Sequence, residues 1–104
     1  MAGAVEEAWA ALADGLEARK RELVAAVREY PTPIARCDVQ LPEAIERRNA
    51  AVRDANEARE LESAALSPAE WGERVRSLAG RLAAAEDGRI RAASSRLLAE
   101  LGAR

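Results

Sequence analysis

Every seventh residue from Trp9 to Tyr30 is large and apolar: Trp9, Leu16, Leu23 and Tyr30. Val5 precedes them and Leu12 and Val27 fall between them, so the larger side chains follow one another at steps of three, four or seven. A strand would need a period of two, whereas this spacing draws one apolar stripe along a helix. Written as a heptad, the second seam position carries Val5, Leu12, Arg19 and Ala26, and Arg19 is its one charged member. A polar seam residue can specify register or oligomeric state, while a long arginine stem can also lie along a seam with its guanidinium in water. Both readings of Arg19 stand on the sequence. The helix has to end at Glu29 or Tyr30, because Pro31 and Pro33 lack amide donors and disfavour helical geometry just before them. The first helix is therefore expected over 3–29, with a proline connector over 31–41.

A second helix is expected over 42–65. Pro42 suits a first helical position, and Glu43 lies in the first turn, where the helix dipole favours a carboxylate. Glu43 and Arg47 have the spacing and order of an i,i+4 ion pair. Only Ile45, Val52 and Leu61 are large apolar residues here, beside a narrow stripe of Ala44, Ala51, Ala55 and Ala58. The third start is the sharpest local signal. Ser67-Pro68-Ala69-Glu70 sets a capping serine, a proline at the first helical position and a glutamate three residues on. Trp71, Val75, Leu78 and Leu82 then share a face, and Ile90, Leu97 and Leu101 continue that phase only if Glu86 takes a turn on it. Alanine-rich flanks and the lack of proline favour one helix over 68–101, with Asp87-Gly88 as the point where it could kink or break.

The expected fold is all-α: a single domain of three long helices in an antiparallel bundle or extended helical hairpin. At about 1.5 Å per residue they would measure roughly 40, 36 and 50 Å, leaving the third to overhang the others. The core available to them is thin. Apolar residues make up 49% of the chain, but 26 of them are alanine and only 24 are Leu, Val, Ile, Met, Trp or Tyr. A thin core beside exposed apolar stripes calls for a helical partner, either a second copy or a larger protein.

The chain has no histidine and one cysteine, Cys37. That removes histidine-dependent triads, zinc fingers and disulfide frameworks within one chain. The scattered glycines form no phosphate-cradling loop. Paired carboxylates such as Glu6 and Glu7 lie among arginines at helix-surface spacing and read as solvated faces. Neither catalysis nor a cofactor or metal is expected. The start Met-Ala-Gly-Ala-Val-Glu-Glu lacks the basic and apolar regions of a secretory signal, and no apolar run approaches a membrane span. A cytoplasmic setting is expected, and the dominance of arginine and alanine suggests a GC-rich, bacterial genome.

The leading functional expectation is protein–protein interaction through a helical face, with Trp9, Leu16, Arg19, Leu23, Ile34, Trp71, Ile90, Leu97 and Leu101 as candidate interface residues. A second expectation draws on the arginines towards the carboxyl end, of which Arg89, Arg91 and Arg96 could hold an anion. A pI near 5.3 argues against nucleic acid as that anion. The third is a thiol redox role for Cys37, which Arg36 and a nearby helix start would help to ionise, although a lone cysteine is more often a small buried apolar group.

Overall fold

The computed structural model describes residues 3–31 and 40–102. Among them the chain forms four helices and no strand: α1 (Ala4–Arg28), α2 (Gln40–Ser63), α3 (Pro68–Leu82) and α4 (Gly88–Gly102). The all-helical class is as expected, but the stretch expected as one third helix is two. Ile34, Cys37 and most of the proline connector lie outside the described residues.

The helix starts follow local chemistry. The Ser67 hydroxyl accepts from the Glu70 amide at 3.2 Å with Pro68 at the start of α3, as the sequence requires. At α4 the same work falls to Asp87, whose Oδ1 accepts from the amides of Arg89 at 2.9 Å and Ile90 at 3.3 Å. These two bonds cap the new helix that starts at Gly88. Ala83–Asp87 form a turn that is closed by Ala85 N donating to Leu82 O at 3.0 Å and by Arg91 Nη1 donating to Ala85 O at 3.0 Å. Breaking there lets Ile90, Leu97 and Leu101 return to the core, whereas a straight helix would have carried them past its end. Helix α2 begins two residues before Pro42, which still lies in the first turn, where a missing amide donor matters little.

The four helices run up, down, up, down. Ion pairs fix the directions: Arg96 of α4 reaches Glu7 of α1 at 3.4 Å and Arg89 reaches Glu22 at 2.8 Å, so α4 is antiparallel to α1. Helix α1 packs against both α2 and α4, and α3 packs chiefly on α4, while α2 and α3 touch little. Arg81 spans that looser edge, 3.2 Å from Asp54 and 2.8 Å from Glu57. The core holds Leu12, Leu16, Leu61, Val75, Leu78 and Leu97, nearly all without exposure, and fills its narrow places with Ala8, Ala55 and Ala79. Each fully buried leucine or valine contributes about 1.5–3 kcal/mol of transfer free energy.

Helices α1 and α2 have 25 and 24 residues, whereas α3 and α4 have 15 each. The longer pair therefore projects past the α3–α4 turn, giving overall dimensions of 53 × 25 × 23 Å. The overhang expected of the third helix belongs instead to α1 and α2. Among the described residues, four helices form a base and the two longer ones continue alone as an arm.

Candidate functional site

The site of interest is the corner where the arm leaves the base. The last buried residue of α1 is Leu16 and the first of α2 is Ala51. Beyond them Leu23, Val24, Val27, Leu41 and Ile45 are all half-buried, because among the described residues nothing like the α3–α4 layer lies over this end. A pocket of about 180 Å³ opens at the corner, walled by Leu16 and Leu23 of α1, Leu82 of α3 and Ile90 of α4. Arg19, Arg47 and the turn residues Glu86 and Asp87 form its polar rim.

Arg19, the odd member of the apolar seam, lies on this rim. Its side chain is 27% exposed, with Nη2 at 3.9 Å from Glu86 Oε2 and Nη1 at 4.0 Å from Asp87 Oδ2. Arg47 approaches the same Glu86 oxygen, Nε to Oε2 3.9 Å, in place of the expected pair with Glu43. These are long contacts, beyond the usual reach of a hydrogen bond. Asp87 is held more firmly, by Arg89 Nη2 at 2.8 Å. That bond, followed by the amides of Ile90 and Arg89, draws the Asp87 carboxyl down to about 2 against the opposing effect of desolvation, and it makes Arg89 hold its own proton more tightly. Asp54 on the α2 wall shifts the other way: desolvation raises it and Arg81 offsets only part of the rise. On the far side of the α1–α2 seam, Glu17 is lowered, first by a bond from Lys20, and lies 2.8 Å from Arg59.

The other sequence candidates divide by position. Leu16, Ile90, Leu97 and Leu101 are buried in the chain's own core. So is Trp9, which meets half-buried Trp71 edge-on at 5.6 Å between ring centroids and an interplanar angle of 76°. Leu23 and Arg19 are the candidates left at the open corner. In the anion-binding set, Arg89 is bonded to Asp87 and Glu22, Arg96 pairs with Glu7, and Arg91 donates to a backbone carbonyl. Sequence reasoning did not single out Arg47 or Glu86. The signal for Glu86 was present, since it was the charged residue that a continuous third helix would have forced onto an apolar phase.

Among the described residues no group of three His, Cys, Asp or Glu side chains is placed to hold a metal ion, and no helix is long and apolar enough to cross a membrane. No protein family, curated protein or solved structure matches the chain.

Proposed function

We propose that this chain is a non-catalytic helical interaction module of the cytoplasm that works by self-association through the α1–α2 arm. The observation that carries this reading is the burial boundary: no residue of α1 after Leu16, and none of α2 before Ala51, is buried, although the arm presents Leu23, Val27 and Ile45. The base supplies the template for what could cover it. There the α1–α2 layer is covered by a second pair of antiparallel helices, and the arm of a second copy is another such pair. The arm is short, about 18 Å along α1, so its contact falls below the ~1,200 Å² usual for stable complexes and the association should depend on concentration.

Light scattering after size exclusion, in reductant and over a hundredfold range of concentration, tests this. The mass should rise from 11.2 kDa towards twice that value, and Val27→Glu should hold it at the monomer with the helical circular dichroism unchanged. A mass of one chain at every concentration into the millimolar range overturns the reading. Anion binding by the α4 arginines has less support, because Arg89 and Arg96 already face carboxylates within the chain.

A further inference from the structure

We infer that the second copy is held in register by its Glu43, which enters between Arg19 and Arg47 at the foot of the opposite arm and displaces Glu86. This rests on self-association through the arm and names the contact that would specify it.

The rim arginines are under-used. Both guanidinium groups converge on a single oxygen, Glu86 Oε2, each at 3.9 Å, and the Glu86 side chain is 77% exposed. The other two rim carboxylates have closer cations of their own: Asp87 has Arg89 at 2.8 Å and Asp54 has Arg81 at 3.2 Å. A guanidinium carries five N–H donors in a fork matched to a carboxylate, and among the described residues none of the donors of Arg19 or Arg47 reaches a rim acceptor within hydrogen-bond distance. Glu86 therefore marks a carboxylate position without filling it.

Glu43 is the carboxylate placed to fill it. It lies four residues before Arg47, one turn towards the tip of the arm, on the flank of α2 that carries Arg47, Ala50 and Asp54 on the pocket side. It is exposed and has no ion pair with any described residue. A two-fold axis across the arms exchanges foot and tip, so a contact made once is made twice. Glu43 of each copy then faces Arg19 and Arg47 of the other, while Leu23 and Val27 supply the apolar part of the contact. Glu86 returns to water when displaced, so one carboxylate replaces another and no unpaired charge is buried.

The test is a charge exchange read by sedimentation equilibrium on the full chain. Glu43→Arg and Arg47→Glu should each weaken dimerisation about tenfold, and the double variant should recover most of that loss. Glu86→Gln removes the internal competitor and should tighten dimerisation about threefold, a gain that damage to the fold cannot imitate. Dimerisation that is indifferent to Glu43→Arg, a double variant no better than either single one, or a weakening by Glu86→Gln overturns the inference while leaving association through the arm intact. A wild-type chain that stays monomeric removes both.

Discussion

The two halves of α1 share one heptad but live in different surroundings. Leu12 and Leu16 in the base are 0% and 1% exposed, whereas Leu23 and Val27, on the same apolar stripe, remain half-buried. Residue type and spacing do not separate them; the layer above them does. Helical periodicity therefore identifies which face is apolar, and the length of the elements packed on it decides how much of that face leaves water. The same contrast runs along α2, where Ala51, Ala55 and Ala58 are buried and Ala44, on the same stripe, is not.

Truncation gives the largest contrast between base and arm. Leu97→Ala, at a site with no exposure, should lower the unfolding free energy by about 3 kcal/mol, against less than about 1 kcal/mol for Val27→Ala in the arm. Urea unfolding of dilute protein measures both, and equal losses would break the distinction.

Acid comes next, because it acts at the corner joining the two regions. The folded-state pKa of Asp87, about 2, lies below its ordinary value of 3.8. Its contribution is therefore complete above about pH 4 and is lost as the pH falls through 2, worth about 1–2 kcal/mol. Glu17, also lowered, acts in the same sense. Asp54, raised, acts in the opposite one: it favours the folded state in acid and withdraws that support as the pH rises through its folded pKa. Stability should fall on acidification from pH 5 to pH 2, and Asp87→Asn should flatten the profile; a slope unchanged by that substitution would remove Asp87 as its source.

Two gains in the base are smaller. Gly15 sits inside α1, and a Cβ added there would lie 3.6 Å from Ile90 Cγ1, an ordinary contact, so Gly15→Ala should stabilise by about 0.5–1 kcal/mol. Ser94 is fully buried and its hydroxyl oxygen has no hydrogen-bond partner among the described residues. Ser94→Ala should raise the melting temperature by a few degrees, corresponding to a gain of under about 1 kcal/mol. A loss at Ser94 would mean that its hydroxyl supports the packing of α4.

The start of α3 and the end of α1 were legible because they depend on neighbours in sequence, Pro68 with Ser67 and Pro31 after the last turn. The break at Asp87 was legible as an option and wrongly resolved, because alanine-rich flanks describe local propensity while the fold-back is driven by burial of Ile90, Leu97 and Leu101 against helices distant in sequence. The corner site was half legible. Arg19 stood out by interrupting a seam, but Arg47 looked like the partner of Glu43, and only the position of the α3–α4 turn brings Glu86 to both arginines.

The edge-on pairing of Trp9 with Trp71 has an optical consequence. Both indoles of the chain lie in the base, and its single tyrosine, Tyr30, lies at the far end of the arm. Light absorbed only by indole thus reports on the four-helix end and is blind to fraying of the arm, while the tyrosine band reports on the arm. The molecule carries a two-colour gauge of its own cooperativity: coincident melting in both bands would mean that base and arm come apart together, and an earlier change in the tyrosine band would mean that the arm lets go first.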